Sequence, residues 1–312
     1  MVKQDLKTND DNSLVDFIDI QSGKIYKDIW KHLSKGLWRD LMPENHEFNV
    51  IQGVSNRPKH KPVLKNILPI YPEMKWNSKK KQLEDPYFIP VKKAASLKDF
   101  LNASELFFNN FSNKKIGVQH SGGLDTGIII SLLKLFKIPF SLVGMTTNRY
   151  EFRTEKYIQN KLSEWSNEVT LIDYENHLPF FDLEKVPVFQ YPEMLCLNYS
   201  SENAMALECE RLGIEVLLTG NGGDNVFSDK IYENPIFSTW RPQIFTDNWL
   251  SDIVYSPRGV QLIPFFGDKL IIQVIYNLRI GQSEDNSKIW ARNFFKDFLP
   301  QELVVNRQQK VD

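Results

Sequence analysis

Apolar residues follow two different spacings after residue 113. Short runs rich in apolar side chains are typical of buried strands, and they alternate with longer stretches in which apolar residues recur every three or four positions, as in helices. The predicted strands are 116–119, 140–145, 168–173 and 215–219, and the predicted helices between them are 125–136, 151–164 and 201–212. Strands separated by single helices predict an α/β fold with a parallel, doubly wound sheet.

Residues 1–112 follow a less regular pattern. Six prolines fall between residues 58 and 90, and helical spacing is confined to two short segments, 25–41 and 96–111. In the second segment Ser96 is the predicted N-cap. The residues predicted to face inward there are Leu97, Phe100, Leu101, Leu106 and Phe107. We therefore expect a small irregular N-terminal region, 1–112, and a main domain, 113–312, that is helical again beyond about residue 248.

Composition narrows the class of protein. The 312 residues are 42% hydrophobic and 25% charged, which suits a globular protein with a sizeable core. Lys and Arg number 38 and Asp and Glu 39, so the net charge of −1 gives no electrostatic reason to expect a nucleic acid partner. There is no apolar run of about 18 residues and no signal-like leader, so we expect no membrane anchor and a cytoplasmic location. With two cysteines, Cys196 and Cys209, neither a disulfide scaffold nor a four-cysteine zinc site is expected.

The first candidate for chemistry is a glycine-rich turn between a predicted strand and a predicted helix. Its residues are Ser121, Gly122, Gly123, Leu124, Asp125 and Thr126. Adjacent glycines let the backbone approach a ligand closely, and free N–H groups at the start of a helix bind anions such as phosphate. Asp125 would repel a phosphate unless a cation lay between them, so it predicts Mg²⁺. A plain strand–helix turn, capped by Asp125, is the alternative; the pattern matches neither GxGxxG nor GxxxxGK[ST].

A second glycine-rich turn follows the predicted strand 215–219. It reads Thr219-Gly220-Asn221-Gly222-Gly223-Asp224, and Asp224 offers a second carboxylate for the same cation. A flexible loop would explain the glycines but not the repetition of a strand, paired glycines and an aspartate. Because ligands bind beyond the carboxyl ends of parallel strands, we expect both turns to contribute to one site.

Four segments of the chain resemble known enzymes. SGGLDT at 121–126 resembles the pyrophosphate-binding loop of N-type ATP pyrophosphatases, and LLTGNGGDNVF at 217–227 resembles the second ATP loop of the asparagine synthetase family. IPFFGD at 263–268 resembles the VPFLD segment of that family, and the stretch 299–310 resembles its closing LP…RxxK pattern. In order and spacing the resemblance covers residues 100–312.

This resemblance implies the fold of the N-type ATP pyrophosphatases and a reaction in which ATP is used to form an amide. A carboxylate is adenylated by ATP with Mg²⁺, pyrophosphate leaves, and an amine attacks the acyl-adenylate to form an amide. The residues that it implies for ATP are Ser121, Gly122, Gly123, Leu124, Asp125 and Thr126 at the phosphates, Val143 at the adenine, Thr219 and Gly220 at the nucleoside, and Asp224. Asp125 and Asp224 would ligate Mg²⁺, and Lys310 would neutralise charge that develops on the phosphates or the carbonyl.

Three departures from the family pattern affect the expected substrates. Val2 stands where glutamine-dependent members have a catalytic cysteine, and residues 1–112 are too few for a full glutaminase domain. Asn221 stands where the family has a glutamate, and an amide cannot act as a general base, so either another group removes the proton or the nucleophile binds differently. The chain also stops soon after Lys310, so the second-substrate pocket is either trimmed or completed by a partner.

These departures resemble the lasso-peptide macrolactam synthetases, which carry a related TGxGGD loop. The expected partners are therefore a small-molecule or peptide carboxylate, an amine and a possible partner protein. Alternatives are a catalytically impaired partner subunit, argininosuccinate synthetase, and a tRNA-modifying ATP pyrophosphatase. Argininosuccinate synthetase has its loop near the N-terminus, and sulfur-transferring tRNA enzymes need paired cysteines.

Overall fold

A computed structural model describes part of the chain. The described residues are 16–19, 21–26, 67–70, 75–80, 82–84, 95–186, 198–227, 250–279 and 288–305. The chain divides into two compact units, the first formed by Met1–Phe88 with Val188–Glu193 and the second by Ile89–Pro187 with Met194–Asp312. None of the helices in the described ranges has both the length and the apolar character needed to cross a membrane.

The first unit contains short antiparallel strands that the sequence pattern did not predict. They are β1 (Asp16–Asp19), β2 (Ile25–Tyr26), β3 (Ile67–Ile70), β4 (Lys75–Asn77) and β5 (Gln82–Glu84), arranged as a β2-β1-β3 sheet and a β4-β5 pair. The helix predicted over 25–41 is wrong at its start, and the remainder of that range lies outside the described residues. Ile25 and Tyr26 pair with β1 because Asp19 closes a turn between the strands, accepting hydrogen bonds from the backbone of Gln21 and Ser22.

A five-stranded parallel sheet forms the second unit and confirms the predicted α/β, doubly wound fold. Its strands are β6 (Ile116–Gln119), β7 (Ser141–Thr146), β8 (Val169–Asp173), β9 (Val216–Thr219) and β10 (Gln261–Pro264), in the order β10-β9-β6-β7-β8. Strand β10 corrects the prediction of a purely helical C-terminal part. Its apolar run is too short for spacing to separate strand from helix, and pairing with β9 decides the outcome.

Helices cover both faces of this sheet. They are α1 (Leu97–Asn109), α2 (Leu124–Leu135), α3 (Arg153–Ser163), α4 (Tyr199–Leu212), α5 (Gly223–Phe227), α6 (Lys269–Arg279), α7 (Ile289–Phe294) and α8 (Gln301–Val304). A π-helical turn spans Ser251–Tyr255, and 3-10 turns span Tyr150–Phe152, Tyr174–Asn176, Leu183–Lys185, Ser256–Arg258 and Phe265–Gly267. The larger apolar cluster joins one sheet face to α1, α2, α3 and α6, and the smaller cluster joins the other face to α4.

Helix α1 begins as predicted. Ser96 is its N-cap, and Ser96 and Asp99 form a reciprocal capping box that satisfies two backbone N–H groups. Phe100 and Phe107 are buried as expected, whereas Leu106 is 59% exposed, contrary to the prediction. The buried face of the helix follows positions separated by three, four and seven residues from Phe100, which leaves Leu106 on the outer side.

The strand order indicates where a ligand-binding crevice lies. From the neighbouring pair β6 and β9, the chain proceeds outward through β7 and β8 on one side and through β10 on the other. In open parallel sheets such a reversal point opens a crevice beyond the carboxyl ends of the two strands. Both glycine-rich turns follow these two strands, so the topology brings them to one position.

Candidate functional site

The first turn depends on a glycine at position 122. Gly122 has φ +71° and lies directly before Gly123, the N-cap of α2, which forms no side-chain capping bond. A Cβ atom on Gly122 would overlap the carbonyl oxygen of Glu155 and lie 3.0 Å from its carbonyl carbon. The turn is thus pressed against the backbone of α3. Gly123 has φ −82°, so only the first glycine of the pair uses the left-handed region.

Two hydroxyl groups shape the same turn. Ser121 Oγ accepts a hydrogen bond from the Gly123 N–H at 3.2 Å and lies 3.1 Å from Thr126 Oγ1. Thr126 Oγ1 also donates to the Gly123 carbonyl at 3.3 Å. The first N–H groups of a helix have no acceptor within the helix, so the start of the 12-residue α2 offers donors to an anion.

His120 fixes the end of β6 in front of this turn. The imidazole is fully buried, its Nε2 lies 2.8 Å from the Gln159 carbonyl oxygen, and burial lowers the pKa of the ring. Gln159 in turn donates to the carbonyl oxygens of His120 and Met145 at 2.7 and 2.9 Å. His120 and Gln159 therefore join the sheet to α3 and hold the first glycine-rich turn in position.

The second turn packs directly on the first. A Cβ atom on Gly223 would lie 2.5 Å from Asp125 Oδ2, and one on Gly220 would lie 3.0 Å from the Thr126 backbone nitrogen. Side chains at these positions would separate the two turns. In the same turn, the Asn221 N–H donates to Thr219 Oγ1 at 3.4 Å. The absence of side chains at positions 220 and 223 thus allows α5 to bring Asp224 beside Asp125.

A lysine joins the two predicted carboxylates. Lys288 Nζ lies 2.7 and 2.8 Å from the two oxygens of Asp125 and 2.6 Å from Asp224 Oδ1. The Lys288 and Asp125 side chains are only 18% and 16% exposed, whereas that of Asp224 is 86% exposed. The two carboxylates predicted to ligate Mg²⁺ thus converge on one ammonium group, and their role as metal ligands stays a prediction.

The electrostatic state of Asp125 depends on this arrangement. Burial raises its pKa to about 6, Lys288 opposes that shift, and the Asp224 charge adds to it. Contact with Lys288 therefore does not fully offset the effect of burial on the ionised Asp125 carboxylate. A cation of higher charge at the same position would favour the ionised form more strongly.

Lys288 was missed by the sequence reasoning. It lies immediately before α7 with φ +56°, in a polar stretch that carries no recognisable motif. The sequence pointed to such a residue only indirectly, because two carboxylates predicted to converge beyond the carboxyl ends of the strands require a cationic partner. Many lysines in the chain could have met that requirement, and only the tertiary structure identifies the one that does.

The structure describes Val143 and the segment 263–268 but not Lys310. Val143 is fully buried in the smaller apolar cluster, and its carbonyl oxygen accepts the His120 N–H at 2.8 Å, so its contact with adenine stays a prediction. Lys310 lies outside the described residues. In the segment that resembles VPFLD, Phe265 and Phe266 are core residues and Asp268 caps the start of α6.

Magnesium fits the donor set found here. Among the residues that the structure describes, no group of three or more His, Cys, Asp or Glu side chains is arranged to hold a metal ion. Mg²⁺ is commonly held by one or two carboxylates together with substrate phosphates and water, so a pair such as Asp125 and Asp224 would be enough if a substrate supplied the phosphates. The close convergence of both carboxylates on one ammonium group supports that reading of the pair.

A second carboxyl group with a raised pKa lies beside the smaller apolar cluster. Burial raises the pKa of Glu202 from 4.5 to about 7, although Tyr255 donates a 2.7 Å hydrogen bond to it. The native state therefore retains a proton that the unfolded chain loses between pH 4.5 and 7, and the free energy of unfolding falls as the pH rises through this window.

We expect Glu202→Gln to remove this pH dependence. The amide keeps an acceptor for Tyr255 and carries no charge, so the variant should exceed the wild type in stability at pH 8 by about 3 kcal/mol, since one pKa unit corresponds to about 1.4 kcal/mol. Urea unfolding between pH 4.5 and 8 measures the effect. Glu105→Gln, at an exposed position of α1, is the control. Parallel curves for wild type and Glu202→Gln would contradict the expectation.

Comparison with known proteins adds little to this geometry. No family model matches the chain, and no curated protein matches it. A similar solved structure is described as that of NMN synthetase from Francisella tularensis, with 12% sequence identity and a TM-score of 0.28, covering 66% of this chain and 96% of that one. Similarity at this level supports no statement about activity, so the fold class follows from the strand order and pairing above.

Proposed function

We propose that this chain is an ATP-dependent, AMP-forming ligase that joins a carboxylate to an amine, as in the asparagine synthetase family. The observation that carries the proposal is the convergence of Asp125 and Asp224 on one cation position, at the reversal point of a parallel sheet. An anion-binding helix start lies beside that position. Together these features suit a triphosphate with its divalent cation.

The contacts of each group and the sequence resemblance support the following proposed roles. The N–H groups at the start of α2 bind the phosphates, with Ser121 and Thr126 supporting the turn. Asp125 and Asp224 hold Mg²⁺, which would neutralise charge on the phosphates when bound. The sequence resemblance supports Thr219 and Gly220 as the residues that contact the nucleoside. The substrate carboxylate oxygen attacks the α-phosphorus and pyrophosphate leaves.

The second half of the reaction forms the amide. The amine attacks the acyl carbon, AMP leaves, and the amine loses a proton. Asn221 cannot accept that proton, so we propose that it orients the amine or the acyl group and that the proton passes to another acceptor. The resemblance to macrolactam synthetases supports a peptide as the substrate and a partner protein that presents it. Of the predicted N-terminal region, 1–112, the part that belongs to the first unit, Met1–Phe88, is then a reduced region without glutaminase activity.

The labelled products of ATP test the proposal. The protein is incubated with Mg²⁺, ATP labelled at the α-phosphate, and pools of amino acids or peptides that supply carboxylates and amines. We expect substrate-dependent labelled AMP and pyrophosphate. Labelled ADP with inorganic phosphate would contradict adenylation. Calorimetric binding of ATP with Mg²⁺ in the absence of any turnover, across all pools, would favour the impaired partner subunit.

A further inference from the structure

Lys288 occupies the position at which a divalent cation would bind. Its ammonium group contacts three carboxylate oxygens at 2.6–2.8 Å, and those oxygens belong to both proposed metal ligands. A metal ion between the same oxygens would lie against the ammonium group, and two positive charges in this partly buried space repel strongly. The ammonium group and the metal ion therefore cannot share the position.

Two further cations of the described residues, Arg279 and Arg292, donate hydrogen bonds to backbone carbonyl groups. Arg279 donates to the Val226 carbonyl at 3.0 Å, and Arg292 donates to the Leu303 carbonyl. Both guanidinium groups are buried, so they hold α5 and α8 in place. The ammonium group of Lys288 contacts the two carboxylates directly, and the centre of the Phe227 ring lies 5.8 Å from it.

The backbone of Lys288 is anchored and its side chain is long. Its carbonyl oxygen accepts the Arg292 N–H at 3.0 Å, which attaches the residue to α7, and the Trp290 ring of α7 packs against Phe227. The four-carbon stem can rotate without movement of the helix, and an ammonium group readily exchanges a carboxylate for a phosphate oxygen. The residue is therefore suited to move between two anionic partners.

We infer that Lys288 is a resident counter-cation that keeps a free divalent cation out of the nucleotide-free site and transfers to the triphosphate when the metal ion arrives with ATP. This inference rests on the proposed function, because the excluded cation is the Mg²⁺ assigned there to Asp125 and Asp224. Its consequence is ordered loading: the metal ion enters as part of its nucleotide complex. Lys288 is thus a positioning residue for ATP as well as a partner of the acids.

Binding of Mn²⁺ alone tests the inference. The concentration of free Mn²⁺ is followed by electron paramagnetic resonance as it is titrated into nucleotide-free wild type, Lys288→Met and Lys288→Gln. Because both variants remove the competing charge, we expect each to bind Mn²⁺ about tenfold or more tightly than wild type. Lys185→Met is the matched control, since Lys185 forms a 2.7 Å ion pair with Asp182 on a different segment. It should leave Mn²⁺ binding unchanged.

Each result has a definite meaning. The inference is overturned if both Lys288 variants bind Mn²⁺ with the same affinity as wild type, or more weakly. Thermal unfolding curves show whether each variant is folded, and the glutamine variant provides a second test if the methionine variant is not. Mn²⁺ should raise the melting temperature of the variants more than that of wild type. If ATP with Mn²⁺ binds wild type but the variants gain no metal affinity, the inference fails and the proposed function stands. If the variants gain affinity and ATP never binds, the proposed function fails instead.

Discussion

Replacement of Asp125 by asparagine is expected to abolish Mg²⁺-dependent ATP binding and to lower AMP formation by about 10³-fold, the scale associated with loss of a key electrostatic group in an active site. Both oxygens of this buried carboxylate face the cation position. An asparagine offers one oxygen and turns an NH₂ group toward the cation. Calorimetry with ATP and Mg²⁺, together with labelled product analysis, measures both effects.

Comparison with two further variants sharpens this expectation. Asp224→Asn should have a smaller effect on ATP binding, because Asp224 is 86% exposed and water can replace its oxygen. Asp182→Asn breaks a similar lysine–aspartate pair elsewhere and should leave binding unchanged. Wild-type affinity for ATP with Mg²⁺ in Asp125→Asn would exclude the proposed metal site.

Gly122→Ala is expected to lower the free energy of unfolding by about 3 kcal/mol or more, through overpacking added to backbone strain. The new methyl group would overlap the Glu155 carbonyl oxygen, which belongs to the backbone of α3 and cannot rotate away. The residue also has φ +71°, which L-residues other than glycine adopt at a cost. Urea unfolding followed by circular dichroism measures the loss.

Gly213 provides a matched control for this substitution. It has φ +68° at the C-terminal cap of α4, and an added Cβ would have no heavy atom within 4 Å. Gly213→Ala should therefore show the backbone strain alone, about 1 kcal/mol. The difference between the two variants isolates the close approach of the first turn to α3. Equal losses would mean that the turn is not pressed against that helix.

The parallel sheet could be predicted largely from the spacing of apolar residues. Strand β6 has the predicted bounds, and α4 ends at Leu212 before Gly213 as the pattern indicated. These elements are long or strongly apolar, and their ends carry local signals such as a capping serine or a glycine in the left-handed region. Local interactions specify them, so a local pattern reveals them.

The elements that prediction missed depend on pairing across the chain. Strand β10 forms because Gln261–Pro264 lies alongside β9, and the start of the predicted N-terminal helix is a strand because it pairs with β1. A short apolar run is compatible with either state. The partner supplied by the folded chain, rather than the intrinsic preference of the residues, decides between them.

For the site, the amino-acid sequence by itself determined two glycine-rich turns, each at the end of a strand and each followed by an acid, because turns and helix starts have local residue requirements. Only the tertiary structure decided that the turns touch, that Asp125 is buried while Asp224 is exposed, and that Lys288 is the cation between them. Burial and charge pairing are set by segments far apart in the chain, and no local pattern records which distant side chain fills the space between two carboxylates.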